Sequence, residues 1–376
     1  MAGAHQPVVE ACGAGVLVVE DSGVERRFLR TALAAEPGVE VVAEARNVRD
    51  ALALVDRLRP AAILLDLDLP GDAAIELIER VMASIPTPIL VYTVARDDER
   101  AARALAAGAI EVIVRPRASE VDRSEYAEAV RRGVRVAVRV RVITHPLGRL
   151  KARGFAAVRA DGDDRAHRRP TVVAPQVPTG HRTVDLVAIG TSTGGPQALA
   201  QLLAGLPADF SPAIVVAQHM ADGFVDGLAA WLASVCPLPV VIGQRNGRLL
   251  PGTVTLAPGG HNLVVRDHMR LDIETPPPSQ FHVPGVDALF TSVAEHVGPR
   301  AIGVLLTGMG RDGALGLKAM REAGAITIGQ DEESSAVWGM PGAAAALGAV
   351  QRQLPLNEIA DALVAILRGD PFGDES

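Results

Sequence analysis

The sequence predicts an α/β protein with two domains, each built on a parallel or mostly parallel sheet. Its 376 residues exceed the roughly 100–200 that are usual for one domain. Short apolar runs alternate with amphipathic segments of helical length over two separate stretches, the pattern of parallel strands joined by helical crossovers. Between them, residues 117–182 hold 15 Lys and Arg against 7 Asp and Glu. We expect domains at 14–133 and 184–370, joined by a basic flexible linker at 134–183.

The first stretch contains five strand-like runs separated by segments of helical length. The runs are Val16–Val19, Val39–Ala43, Ala61–Leu65, Ile89–Tyr92 and Ile110–Val114. Each is nearly continuous in apolar residues, as expected for parallel strands that helices cover on both faces. A helix over Ser119–Arg132 would complete this domain, which predicts a (βα)5 fold.

The second stretch resumes the alternation at Val184. Its clearest strands are Leu186–Ile189, Ala213–Ala217 and Ala301–Leu306. Between Val240 and Glu274 several short strand-like runs follow one another without helices. We therefore predict a doubly wound, mostly parallel sheet with a short antiparallel excursion.

Composition excludes several classes of protein. No apolar run reaches the ~18 residues that a membrane-spanning helix needs, so no membrane insertion is expected. The only cysteines, Cys12 and Cys236, cannot form a disulfide framework or a zinc site, and no secretion signal opens the chain, so we expect a cytoplasmic protein. Lysine occurs only at Lys151 and Lys318, and the basic linker is interpreted as a solvated connector, with nucleic-acid binding as the less favoured alternative.

Three carboxylates follow strands of the first domain. Glu20 and Asp21 come after the first strand and Asp66 after the third. Because the carboxyl ends of parallel strands meet at one edge of a sheet, these side chains should converge, and such a cluster favours Mg²⁺. Three unrelated acids at strand ends would give the same pattern, so spacing alone leaves both interpretations open.

Residues 14–130 resemble a response-regulator receiver domain of the flavodoxin-like (βα)5 fold. The run from Leu65 to Gly71 is similar to the phosphoacceptor loop. The resemblance implies that Asp66 accepts a phosphoryl group from a histidine kinase, that Mg²⁺ binds Glu20, Asp21 and Asp66, and that Thr93 is the switch hydroxyl. Receivers carry a lysine before a proline after the fifth strand, whereas this chain has Arg115 there. Since arginine is a planar fork and lysine a compact donor, we expect a weakened switch in which Arg115 pairs with Asp66.

A glycine-rich turn in the second domain presents a serine. The run Gly190–Pro196 follows an apolar strand and satisfies G-x-S-x-G, which exposes Ser192 at the start of a helix. A nucleophile and a phosphate-binding loop both remain possible on this pattern. His219 also ends a strand and is the clearest candidate base. Asp312, in a glycine-rich turn after a third strand, is the candidate acid partner, with Asp287 and Asp331 as rivals.

Several motifs of residues 184–350 together resemble the CheB-type chemotaxis protein-glutamate methylesterases. They are Gly190–Leu199, Gln218–Met220, Ala257–His261, Val286–Phe290, Leu306–Ala314, Gln330–Glu332 and Gly339–Pro341. The resemblance implies that Ser192, His219 and Asp312 are catalytic and that the backbone N–H groups of Thr193 and Met309 form the oxyanion hole.

The same resemblance implies an activity and its partners. The reaction would be hydrolysis of glutamate methyl esters on the cytoplasmic helices of chemoreceptors, with glutamine deamidation as a second candidate activity. The ester hydrolysis would need no cofactor, and an unphosphorylated receiver domain would cover the catalytic site. The alternative from another class is a non-catalytic, receiver-linked regulator that binds phosphate or nucleic acid.

Overall fold

The computed structural model describes residues 13–94, 98–115, 123–140, 184–220, 222–277, 280 and 282–370. The first domain is a five-stranded sheet of order β2-β1-β3-β4-β5 in which every pair is parallel. Its strands are β1 (Ala14–Val19), β2 (Val39–Ala45), β3 (Ala62–Asp66), β4 (Ile89–Thr93) and β5 (Glu111–Val114). Its helices are α1 (Gly23–Ala34), α2 (Val48–Leu58), α3 (Ala73–Ser84), α4 (Asp98–Ala107) and α5 (Arg123–Ala137). The predicted (βα)5 arrangement is confirmed.

Local sequence explains how these elements begin and where they lie. The side chains of Ser22 and Asn47 precede α1 and α2 and accept hydrogen bonds from the backbone N–H groups of Glu25 and Asp50, as helix N-caps do. β3 and β4 are buried over their whole length, which is why they read as continuous apolar runs. Because β1, β3 and β4 are parallel neighbours, their carboxyl ends lie at one edge of the sheet.

The last helix of this domain extends into the segment that the sequence assigns to the linker. α5 continues to Ala137 because Val134 and Ala137 are buried against the domain core. Arg135 adds an ion pair with Glu36, at 2.6 Å between Nε and Oε1. Of the expected linker, residues 134–140 are described and 141–183 lie outside the described residues.

The second domain contains a seven-stranded sheet of order β14-β13-β12-β6-β7-β9-β8, again with parallel pairs throughout. The strands are β6 (Leu186–Thr191), β7 (Ala213–Gln218), β8 (Val240–Ile242), β9 (Val254–Leu256), β12 (Ala301–Leu305), β13 (Ile326–Gln330) and β14 (Arg352–Leu354). The predicted antiparallel element is present as β10 (Asn262–Arg266) paired with β11 (Arg270–Glu274), and it forms a separate two-stranded sheet.

Helices cover both faces of the seven-stranded sheet. They are α6 (Gly195–Ala204), α7 (Val225–Val235), α8 (Val286–His296), α9 (Ala314–Glu322), α10 (Met340–Ala346) and α11 (Leu356–Arg368). One core contains Leu363 and the other contains Phe290, both fully buried. β6 lies between β7 and β12, so later strands of the chain are added to the sheet on both sides of β6. Such a switch point opens a crevice at the carboxyl ends of the strands.

The two domains contact each other beside this crevice. Gln197 in the first turn of α6 donates hydrogen bonds to the carbonyl oxygens of Leu105 and Ala109, which precede β5. Phe224, just before α7, is buried in the apolar core that lies under α4. In the part of the chain that is described, no helix is long and apolar enough to cross a bilayer.

Candidate active site

Ser192 lies where β6 ends and α6 begins. Its backbone N–H donates to the carbonyl oxygen of Thr307 at 3.0 Å, which ties the turn to the end of β12. Gly194 caps α6 with a φ of +76°, a conformation that favours glycine. A Cβ on Gly195 would lie 2.1 Å from Oε1 of Gln218. The two glycines therefore allow the tight turn that presents the serine at the sheet edge.

His219 follows the neighbouring strand β7 and lies beside the serine turn. Its backbone N–H donates to the carbonyl oxygen of Thr191 at 3.0 Å, and its Nε2 lies 2.6 Å from Oδ2 of Asp312. The other ring nitrogen, Nδ1, is buried and has no hydrogen-bond partner among the described residues. Ser192 Oγ is therefore not bonded to the imidazole in this structure, and Nδ1 is the nitrogen available to act as a base.

Asp312 is held in place by backbone donors. Its carboxylate accepts hydrogen bonds from the N–H groups of Val286, Asp287 and Gly313, at 2.8 to 3.0 Å. Burial alone would raise its pKa, but the bonds from His219 and from the backbone outweigh burial and lower the pKa of Asp312. Asp312 therefore remains ionised beside the imidazole, as the acid of a catalytic triad does.

The two rival carboxylates are engaged elsewhere. Asp287 accepts a hydrogen bond from the N–H of Gly316 at 2.7 Å, and burial raises its pKa. Asp331 accepts from the N–H of Ser334 at 2.9 Å and organises the loop after β13. Of the three candidates, only Asp312 contacts His219 among the described residues.

Thr193 and Met309 line the cleft, and their backbone N–H groups are candidates for the oxyanion hole. The N–H groups of Thr193 and Met309 donate no hydrogen bond to any described residue, although both lie next to tightly bonded segments. Gly308, beside Met309, packs so closely that a Cβ there would lie 2.7 Å from Cβ of Ser192 and 2.2 Å from the sulfur of Met340. The structure thus brings both predicted oxyanion residues to the serine.

The cleft around these groups has a volume of about 420 Å³ and is lined by both domains. The ring of His282 stacks on that of His219, with centroids 4.9 Å apart. Burial and then the nearby charge of His219 lower the pKa of His282, which favours its neutral form. From the first domain, Glu111 reaches the cleft and accepts a hydrogen bond from the hydroxyl of Thr193.

A second cluster lies at the carboxyl edge of the first sheet. Glu20, Asp21 and Asp66 each offer a carboxylate oxygen within 4.8 Å of the others. Burial raises the pKa of Asp66 to about 7, and the charges of Glu20 and Asp68 add to the shift. Burial also raises the pKa of Glu20. A hard divalent cation offsets this kind of repulsion, so the donor set fits Mg²⁺.

The ion-pair partners of Arg115 differ from the one expected from the sequence. Among the described residues its guanidinium pairs with Glu20, Glu25 and Asp68, at 3.5 to 3.8 Å, and not with Asp66. The planar fork of arginine thus contacts three carboxylates at once. Asp68 in turn accepts hydrogen bonds from the hydroxyl of Thr93 and the N–H of Val94, at 2.9 and 2.8 Å.

Sequence reasoning missed three residues of these sites. Glu111 belongs to a strand at the edge of the first sheet, and nothing in its neighbourhood indicates contact with another domain. His282 lies in an irregular segment with no strand before it. Asp68 lies in the predicted phosphoacceptor loop, but nothing in the sequence marks it as a partner of Arg115. Long-range packing brings Glu111 and His282 to their site, so no local pattern could have identified these two.

The fold and the two sites define a class of protein: a receiver domain coupled to a hydrolase with a serine, histidine and aspartate at one sheet edge. Residues 187–363 match the family described as CheB methylesterase, and residues 16–124 match the response regulator receiver domain. The chain belongs to this family of receiver-linked CheB methylesterases, as its motifs indicate.

Relatives of nearly the same length support the assignment. A protein-glutamate methylesterase/protein-glutamine glutaminase of Anaeromyxobacter dehalogenans is 41% identical over 98% of this chain and 99% of its own. Namesakes in Paramagnetospirillum magneticum and Geobacter metallireducens are 40% and 38% identical, each over 93% of this chain and over 95% and 98% of their own length.

Proposed function

We propose that this protein hydrolyses glutamate methyl esters, with Ser192 as nucleophile, His219 as general base and then acid, and Asp312 as the group that orients the imidazole. The observation that carries the proposal is the 2.6 Å contact between His219 and Asp312 beside the serine turn. A purely phosphate-binding loop would have no use for a histidine held by a buried carboxylate at its side.

The steps follow from the positions of these groups. Ser192 Oγ attacks the ester carbonyl while Nδ1 of His219 takes the hydroxyl proton. The N–H groups of Thr193 and Met309 stabilise the oxyanion of the tetrahedral intermediate. His219 returns the proton to the departing methoxide, methanol leaves, and a glutamyl ester of Ser192 remains. Water activated by His219 then releases the glutamate and restores the serine.

The same groups serve glutamine deamidation, in which the leaving group is ammonia in place of methanol. The names of the relatives include this glutaminase activity. General base catalysis typically contributes about 10²–10⁴-fold, and removal of one oxyanion donor costs roughly 3 kcal/mol. Loss of any one of these groups should therefore be easy to measure.

The receiver domain supplies regulation in this proposal. Asp66 would accept a phosphoryl group from the histidine kinase of a chemotaxis system, and the substrates would be the cytoplasmic helices of chemoreceptors, so the reaction takes place in the cytoplasm. Glu20, Asp21 and Asp66 would hold Mg²⁺, which supplies positive charge for phosphoryl transfer. Because three carboxylates bind Arg115, we expect the response to phosphorylation to be weaker than with lysine at this position.

A serine-reactive fluorophosphonate tests the proposed nucleophile directly. We expect it to label Ser192 in the full chain, with loss of labelling in Ser192→Ala and in His219→Ala. Ser234→Ala, at the exposed end of α7, is the matched control and should label normally. Equal labelling of Ser192→Ala and the unmodified chain would refute the assignment and favour a non-catalytic binding protein.

A further inference from the structure

Glu111 places a carboxyl group of the first domain in the catalytic cleft. Oε2 of Glu111 accepts a hydrogen bond from Oγ1 of Thr193 at 3.1 Å, and Thr193 immediately follows Ser192. Glu111 lines the same cavity as Ser192, His219 and Met309. A glutamate side chain thus lies among the groups proposed to act on a glutamyl side chain.

Contacts between the two domains near Glu111 hold it in the cleft. Gln197, in the same helical turn as the serine motif, binds the carbonyl oxygens of Leu105 and Ala109, two to six residues before Glu111. Phe224 packs into the core of the first domain and joins the two domains through apolar contact. The position of the carboxyl group is therefore set by several interactions besides its own hydrogen bond.

Some features of the surroundings of Glu111 stabilise its charged carboxylate and others destabilise it. Burial raises its pKa, while the hydrogen bond from Thr193 and the charges of Arg132 and His219 lower it. Among the described residues, Thr193 is the only side chain that donates a hydrogen bond to Glu111. A half-buried carboxylate with a single hydroxyl donor among the described residues is costly in free energy. Apolar packing of an ordinary domain contact would favour a less polar side chain at this position.

We propose that Glu111 occupies the subsite for the glutamyl side chain of the substrate and acts as an internal product analogue. The inference rests on the proposed function, since the side chain of Glu111 equals the product that hydrolysis of a glutamate methyl ester leaves. The proposal says more than that the receiver domain covers the cleft, because it attributes inhibition to the carboxyl group of Glu111. It also assigns the hydroxyl of Thr193 as a contact of the substrate carboxyl.

Inhibition by the bulk of the domain contact and inhibition by competition for the subsite predict different effects of substitutions at position 111. If the domain contact blocks the cleft only by its bulk, Glu111→Ala leaves the bonds of Gln197 and the packing of Phe224, and access to Ser192 stays the same. If Glu111 competes for the subsite, Glu111→Ala removes the competitor. Glu111→Gln keeps the length and an oxygen that accepts from Thr193, so it should retain most of the competition.

The rate of Ser192 labelling by a fluorophosphonate measures access without reference to the natural substrate. In the unphosphorylated full chain we expect Glu111→Ala to label about tenfold faster, the effect of losing one hydrogen bond to a charged group. Glu111→Gln should label close to the unmodified rate. Glu40→Ala, on the exposed opposite edge strand, is the control and should be unchanged. Methylated receptor as substrate should show a lower apparent KM for Glu111→Ala.

The outcomes separate this inference from the proposed function. Equal labelling rates in the unmodified chain, Glu111→Ala and Glu111→Gln would overturn the internal analogue while leaving Ser192 as nucleophile. An equal acceleration in Glu111→Ala and Glu111→Gln would also overturn it, because the retained acceptor would then have no effect. Failure of every variant, including the unmodified chain, to label at Ser192 would instead refute the proposed function.

Discussion

Nε2 of His219 lies 2.6 Å from Oδ2 of Asp312, and three backbone N–H groups hold the same carboxylate in place. The hydrogen bond on Nε2 leaves Nδ1 as the nitrogen that can accept the serine proton. The contact thus fixes the orientation of the ring and leaves Nδ1 without a partner among the described residues.

Replacement of Asp312 should reduce catalysis far more than stability. In Asp312→Asn the amide no longer stabilises the imidazolium or the correct tautomer, and we expect kcat/KM to fall about 10³–10⁴-fold. Asp331→Asn is the matched control and should keep its rate within a few-fold, since the carboxylate of Asp331 bonds only to Ser334 among the described residues. Methanol release from methylated receptor measures both. A loss confined to Asp331→Asn would redirect the triad to that residue.

A methyl group at Gly308 should disturb the serine without touching the substrate. Because an added Cβ would lie 2.7 Å from Cβ of Ser192 and 2.2 Å from the sulfur of Met340, the turn must shift. We expect Gly308→Ala to lower kcat by at least about tenfold, since small misplacements of reacting groups are costly. Gly23→Ala, whose Cβ would make only an ordinary contact at 3.7 Å, should retain activity. Full activity of Gly308→Ala would argue against the packed geometry of this turn.

The charge of Asp66 should make stability depend on pH. Burial and then neighbouring charge raise its pKa from 3.8 to about 7, so between these values the folded state holds more protons than the unfolded state. The free energy of unfolding therefore falls as pH rises through this interval, by up to about 4 kcal/mol. We expect Asp66→Asn to raise the melting temperature of the full chain at pH 8 and to have little effect at pH 4.

A control variant and the addition of Mg²⁺ test whether Asp66 causes this pH dependence of stability. Asp56→Asn, on the exposed surface of α2, keeps Asp66 and should follow the pH dependence of the unmodified chain. Mg²⁺ should raise the melting temperature of the unmodified chain at pH 8, because a ligand that binds the folded state stabilises it, and should have a smaller effect on Asp66→Asn. A melting temperature that Mg²⁺ leaves unchanged would contradict a cation site at Glu20, Asp21 and Asp66.

The identity of residue 115 should set how strongly the receiver responds. Arg115 binds three carboxylates at once and is only 16% exposed, so rearrangement on phosphorylation must break several ion pairs. We expect a small phosphodonor with Mg²⁺ to activate ester hydrolysis weakly in the unmodified chain and several-fold more in Arg115→Lys. Asp66→Asn should abolish both responses. Strong activation of the unmodified chain, removed by Asp66→Asn, would refute the weakened switch.

Much of the fold follows from local sequence. β3 and β4 are buried on both faces, so their apolar character is continuous and marks them clearly. Ser192 and His219 directly follow buried strands and Asp66 ends one, which is why they could be selected from sequence. The end of α5 was missed because charged residues interrupt the apolar pattern of its last turn, where Val134 and Ala137 are nevertheless buried.

The missed contacts depend on residues far apart in the chain. Glu111 meets Thr193 across 82 residues, and both lie in segments whose local patterns describe only their own domain. Arg115 was expected to bind Asp66 because the chain resembles receivers, in which a lysine at this position pairs with the phosphorylated aspartate. The length of the arginine side chain determines which carboxylates it pairs with, and no sequence pattern predicts those partners.

The release of methanol from a methylated chemoreceptor helix by the full chain measures the proposed ester hydrolysis itself. We expect steady release by the unmodified protein, with a glutamate left at each site of hydrolysis, and no release above the uncatalysed background by Ser192→Ala. Continued turnover by a correctly folded Ser192→Ala protein would contradict this expectation.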